Sequence, residues 1–191
     1  LELADLVGAL AAGAAAGTVR TVLIDGRSGS GKSTFATGVA AAWPQAVLVR
    51  LDSIYPGWDG LAWASEHLRT DVLEPRALGL AASWQEWDWT SGSAAGRHPV
   101  DPDRPLIIEG VGALTAANRA LADVAVWLES PDADRKARAL ARDGDTYAPH
   151  WDRWAAQEEL FLLADDPSTL ADIIAVPTAD GFQLTETGRT P

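Results

Sequence analysis

The sequence has no cysteine and no methionine, three histidines and, among its 15 basic residues, two lysines. Without cysteine there is no disulfide framework and no thiolate metal site, and three scattered histidines do not make a zinc cluster. Positive charge is scarce too: 15 Lys and Arg stand against 27 Asp and Glu, a formal charge of −12. Such a chain is repelled at long range by nucleic acids and anionic membranes, so neither is expected as a partner. A long hydrophobic run is also missing. The N-terminal "LELADLVGALAAGAAAG" has no basic segment, carries Glu2 and Asp5, and is mostly Ala and Gly. It is too weakly apolar for a membrane span and lacks the charge pattern of a signal peptide. Leu3, Leu6, Val7 and Leu10 follow helical spacing instead, and a cytoplasmic protein is expected.

What the chain has is 191 residues, 47% of them hydrophobic, enough for one domain over residues 1–191 with a substantial core. Five short apolar runs read as buried parallel strands: Thr21–Asp25, Ala46–Leu51, Leu106–Glu109, Val124–Leu128 and Ala171–Val176. Helical patterns at Gly31–Ala42, Asp132–Asp143 and Trp151–Ala164 separate most of them. Alternation of this kind predicts an α/β three-layer sandwich with helices on both faces of a five-stranded parallel sheet. Ligands of such sheets sit at the carboxyl ends of the strands. Two stretches break the rhythm. Residues 53–105 form a long excursion holding five of the nine tryptophans, and residues 177–191 are turn-rich, with a short hairpin expected around "DGFQL".

One of the two lysines lies in "GRSGSGKS", residues 26–33, which matches G-x-x-x-x-G-K-S/T after an apolar strand and before a helix. Glycines let the backbone curl so that its N–H groups converge on an anion, and the helix N-terminus adds its dipole. The expected nucleotide contacts are Gly26, Ser28, Gly29, Ser30, Gly31, Lys32, Ser33 and Thr34. Lys32 reaches the β- and γ-phosphates of ATP, and the Ser33 hydroxyl ligates Mg²⁺.

Two further strand ends carry carboxylates. Asp52 follows the second apolar run, placed to take a proton from an attacking hydroxyl, to hold magnesium, or to cap a loop. Glu109 ends the third run, as a magnesium-ordering carboxylate or a solvated strand end. Beyond the fourth run, Arg135, Arg138 and Arg142 share one helix face within residues 131–148. They form either a lid that neutralises the transferring phosphoryl group or a solvated face. As a lid, with Arg138 and Arg142 catalytic, they have little to hold them before a nucleotide arrives.

Taken together, these pieces resemble the uridine kinase and phosphoribulokinase group of P-loop kinases over about residues 20–176. "LDSIY" at 51–55 is similar to the Q-D-S-F-Y of uridine–cytidine kinases, "IIEG" at 107–110 to their F-E-G, and "WDW" at 87–89 to the Y-D-F of their nucleoside pocket. The resemblance implies the strand order 2-3-1-4-5, Asp52 as general base, and magnesium held by Ser33, Glu109 and Asp52. It also implies acceptor contacts at Tyr55, Trp87, Asp88 and Arg135. The family's histidine and arginine contacts to a pyrimidine have only loose counterparts here, His98 and Arg97. The expectation is thus ATP-dependent transfer to a small hydroxyl acceptor, most nearly nucleoside-like. A sugar or small-acid kinase and a nucleotide-binding module without an acceptor stand as alternatives. An acid acceptor would call on Arg69, Arg76, Arg97 or Arg104 in the excursion. A homodimer is left open. Of the excursion's tryptophans, one or two are expected to line the acceptor pocket and the rest to be core.

Overall fold

A strand turns successive side chains to opposite faces, and the apolar runs divide accordingly. In β1 (Thr21–Asp25), Val22 and Ile24 join one core cluster while Leu23 joins another. The same split recurs in β5 (Leu106–Glu109), with Ile107 against Leu106 and Ile108, and in β6 (Val124–Leu128), with Val126 and Leu128 against Ala125 and Trp127. Strands apolar on both faces need helices on both. One face is covered by α1 (Leu3–Ala15) through Leu6, Val7 and Leu10, and by α2 (Lys32–Ala42) through Phe35, Ala36 and Val39. The other is covered by α3 (Leu61–His67) and by α7 (Trp151–Asp165), among others. The computed structural model describes residues 2–188, apart from the side chains of Asp143 and Asp145; Leu1 and residues 189–191 of the expected 1–191 span lie outside the described residues.

With β2 (Val47–Arg50), β7 (Ile173–Thr178) and β8 (Gly181–Glu186), the sheet order is β2-β5-β1-β6-β7-β8. The five parallel strands therefore lie in the expected 2-3-1-4-5 order, but the sheet has six strands rather than five. β8 is the added one, antiparallel to β7 from Ile173↔Glu186 to Thr178↔Gly181. The expected hairpin around "DGFQL" thus extends the main sheet. Phe182 and Leu184 alternate with polar residues because only one face of this edge strand is covered.

The excursion opens with α3, whose helical path continues through a wider turn at Leu68–Leu73 into α4 (Glu74–Ala77). It then forms a two-stranded ribbon of its own, β3 (Ala82–Asp88) and β4 (Ser93–Val100), with a register shift between Gln85 and Trp87. The His67 Nε2 accepts the Gln85 N–H at 3.0 Å, fixing the ribbon to the helix. α5 (Ala116–Arg119) follows β5, and α6 (Asp132–Tyr147) follows β6; α6 is longer than its sequence pattern because a kink at Gly144, φ 52° and ψ −133°, carries it past residue 143. No helix among the described residues is long and apolar enough to cross a membrane.

Candidate active site

The loop from Gly26 to Gly31 turns between β1 and α2, and two of its glycines are required by shape. Gly29 and Gly31 have φ of 77° and 98°, left-handed backbone that turns successive N–H groups toward one concavity. At Gly29 there is also no room: a Cβ would lie 2.0 Å from the Arg135 carbonyl oxygen. Asp25, fully buried at the end of β1, anchors the loop's entry. Its Oδ1 accepts the Gly26 N–H at 2.6 Å, and its Oδ2 accepts those of Gly112 and Leu114 at 3.0 and 2.8 Å. Burial pushes its carboxyl up to about 7, against the opposing pull of those backbone donors and of Lys32.

Lys32 is buried at the start of α2 and lines a cavity of about 500 Å³. Ser28, Asp52, Tyr55 and Arg142 line the same cavity, so the structure gathers these five sequence candidates. Beside them, the Ser33 hydroxyl donates to Glu109 Oε2 at 3.3 Å. The other Glu109 oxygen, Oε1, is buried with no hydrogen-bond partner; its nearest cation is Arg50 Nε, 3.6 Å away. Burial raises the Glu109 carboxyl, and the charge of Asp52 adds to the rise while Lys32 opposes it. A carboxylate oxygen lacking a donor next to a hydroxyl fits a hard divalent cation, which takes few protein ligands and completes its shell with water and phosphate. No group of three or more acidic, histidine or cysteine side chains among the described residues makes a metal cage of its own. The Ser30 hydroxyl is likewise buried without a partner inside the loop.

The remaining wall is mostly aromatic, with Trp58, Trp89, Tyr147, His150 and Trp154 beside Val111 and Thr146. Trp58 stacks on His150 at 4.5 Å and on Tyr147 at 5.3 Å, and the edge of Trp154 packs on Tyr55 at 4.7 Å. Trp89, at the tip of the ribbon, donates its indole N–H to the Asp52 carbonyl at 2.8 Å and so ties the ribbon to the loop after β2. The Tyr55 hydroxyl donates to the Val111 carbonyl at 2.8 Å; burial raises it well above the usual phenol range, with the Asp52 charge adding to the effect.

Several expected site residues lie elsewhere. Trp87 and Asp88 belong to β3 and do not line the cavity; Asp88 accepts the Thr90 N–H at 2.8 Å and shapes the ribbon's turn. Thr34 is exposed on the first turn of α2. Arg135 is buried and donates to the Ser28 carbonyl at 2.9 Å, and Arg138 donates to the Gly29 carbonyl at 2.8 Å and to the Ser130 hydroxyl. These two arginines brace the loop from outside, so they are held by the loop's own carbonyls rather than having little to hold them. Of the shared helix face, only Arg142 reaches the cavity. Trp63 is not core either: it is half exposed and stacks on His67 at 4.6 Å. Helical spacing in "YAPHWDRWAAQEELF" at 147–161 gives Trp151, Trp154 and Glu158 as packing against the lid and His150 as a local hydrogen-bonding residue; in the structure Tyr147, His150 and Trp154 line the cavity.

Comparison with known proteins places this arrangement. No protein-family model matches the chain, and no curated protein matches it. Among solved structures, a protein described as a possible uridine kinase from Bacillus stearothermophilus aligns with a TM-score of 0.60 at 19% identity, covering 82% of this chain and 88% of that one. A protein described as a fructose transport system kinase from Silicibacter sp. TM1040 aligns with a TM-score of 0.55 at 24% identity, over 90% of this chain and 95% of that one. The likeness is one of fold: the chain has the fold of these uridine kinase-like P-loop kinases.

Proposed function

We propose that the protein is an ATP-dependent phosphotransferase acting on a hydroxyl group of a small, flat-faced acceptor, most nearly a nucleoside. The observation that carries this reading is one cavity lined both by Lys32 and Ser28 of the Gly-rich loop and by indole and phenol rings, with Asp52 lining it as well. The loop amides and Lys32 would hold the phosphates, and Ser33 and Glu109 would hold Mg²⁺, with Asp52 beside them. The metal supplies charge neutralisation on the phosphate oxygens. The acceptor oxygen attacks the γ-phosphorus as its bond to the β–γ bridging oxygen breaks. The hydroxyl proton passes to the Asp52 carboxylate, and ADP leaves. Arg142 is the lid cation placed to neutralise the group in flight, and Tyr55 and the aromatic wall orient the acceptor.

An acidic acceptor is disfavoured. Arg69 pairs with Glu66 and Glu74, Arg76 donates to the Asp101 carbonyl, Arg97 pairs with Asp71, and Arg104 donates to the Gln45 carbonyl. None of the four lines the cavity. A sugar acceptor is the second reading, because indole faces stack on sugar rings as well as on bases, and one structural neighbour is described as a fructose transport system kinase. The test is ATP consumption with nucleosides, sugars and small acids. A nucleoside or sugar should stimulate it, and Lys32→Ala should abolish both turnover and tight MgATP binding. MgATP affinity within about twofold of wild type in that variant, a few tenths of a kcal/mol, would overturn the cradle assignment.

A further inference from the structure

Glu158 lies in the middle of α7 and is 1% exposed. A carboxylate buried to that degree is costly unless donors surround it, and this one is surrounded. Its Oε1 accepts the Ser28 backbone N–H at 2.8 Å and the Trp154 indole N–H at 3.1 Å. Its Oε2 accepts from Arg27 Nε at 3.1 Å, with Arg135 Nη1 3.8 Å away. The two donors that share Oε1 come from two different parts of the cavity's lining. Ser28 belongs to the phosphate loop, and the Trp154 ring is part of the acceptor wall.

The Ser28 residue is held at both ends, its N–H by Glu158 and its C=O by Arg135. Its position in the loop is therefore set by α7 and α6 as well as by the glycine turns. The Trp154 indole is similarly confined, with its edge on Tyr55 and its N–H on Glu158. Hydrogen bonds that share an acceptor in a buried setting respond to one another. Movement of Trp154 as the acceptor wall fills must alter the bond that orients the Ser28 amide. By linkage, phosphates seated in the loop alter the wall in turn.

We propose that Glu158 is a positioning residue that couples the acceptor wall to the phosphate cradle through the chain Trp154, Glu158, Ser28. This inference rests on the kinase reading of the loop. Glu158 touches neither substrate; it sets the loop geometry and makes nucleotide affinity depend on Trp154.

The test is calorimetric titration of MgADP into wild type, Glu158→Gln, Trp154→Phe and the double variant. Glutamine keeps the shape but turns an amide NH₂ toward one set of donors, so MgADP should bind about tenfold more weakly, the scale of a lost charged hydrogen bond. Phenylalanine keeps the wall aromatic but removes the indole N–H together with the pyrrole part of the ring; it should weaken MgADP about threefold. In the double variant the two losses should not add, because both act on one oxygen. A purely structural Glu158 would lower thermal stability without that non-additivity. Binding by Glu158→Gln within twofold of wild type, or additive losses in the double variant, overturns the proposal. If Glu158→Gln does not fold, Trp154→Phe decides alone, and unchanged MgADP affinity in it overturns the proposal. Wild type that fails to bind MgADP overturns the kinase reading and this inference with it, an outcome distinct from failure of the coupling alone.

Discussion

At Asp52 an exposed carboxylate, whose charge is felt at Glu109, lines the cavity together with Lys32 and the aromatic rings. Exposure suits a base that must release its proton after each turnover, and the Trp89 bond to its own carbonyl fixes its backbone. Asp52→Asn retains the shape and the Trp89 contact but removes the basic oxygen. Acceptor phosphorylation should fall about a hundredfold or more, the scale of a lost general base, while MgADP binding persists. A variant that phosphorylates the acceptor at near wild-type rate would remove Asp52 from the mechanism. At this scale the phosphate loop was readable because its signal is local: eight consecutive residues specify the turn, the cation and the hydroxyl. Arg135 and Arg138 were misplaced for a matching reason. Helical spacing tells which residues share a face but not what that face meets, and here it meets the Ser28 and Gly29 carbonyls. Helical spacing places Glu158 on one face with Trp154, its near partner, but gives no sign of its loop partners Arg27 and Ser28, 131 and 130 residues away.

Among elements, α6 behaves as two pieces. Its first turns are fastened to the phosphate loop by Arg135 and Arg138, whereas beyond the Gly144 kink Tyr147 is fastened to Trp58 on the acceptor side. At the kink itself a Cβ would meet nothing within 4 Å, so Gly144 is not packed against the rest of the fold as the braced first turns are. Closure over a nucleotide should therefore involve residues 142–147 rather than the whole helix. Backbone amides of 142–147 should exchange more slowly with MgADP bound, and those of 132–138 should change less, because they are already braced. Equal slowing along the helix, or none, would show that α6 is not a jointed lid. The ribbon of β3 and β4 was hidden from sequence reading for a different reason. Its alternation is interrupted at Gln85 and Trp87, and β4 is almost wholly exposed, so it has no apolar period to detect.

Across the whole molecule, the five parallel strands were legible because strands covered on both faces are nearly all apolar; their order came from the family resemblance, and β8, covered on one face, shows in the sequence only as a short hairpin. What the sequence conceals is the electrostatic cost of gathering carboxylates at the strand ends. Asp25 is the clearest case, raised from 3.8 to about 7 chiefly by burial. The folded state then binds a proton that the unfolded state has released. The contribution is fully present below 3.8 and is lost as pH rises through about 7. Glu109, also raised by burial, acts in the same direction. His67, lowered by burial, acts oppositely, adding stability as pH rises toward its ordinary value. A comparison between variants isolates Asp25 from both. Asp25→Asn loses one hydrogen bond to the loop at every pH, a constant offset, because an amide nitrogen must face one of the three backbone donors. Between pH 5 and 7, wild type should lose unfolding free energy relative to Asp25→Asn, by at most about 1.4 kcal/mol per pH unit. Denaturant titrations of both proteins at pH 5, 6 and 7 measure this. Parallel stability curves would mean that Asp25 is ionised throughout and that its backbone donors and Lys32 outweigh its burial. In that case, Asp25 would be a permanent counter-charge to Lys32, and the cradle would carry less net positive charge toward a phosphate.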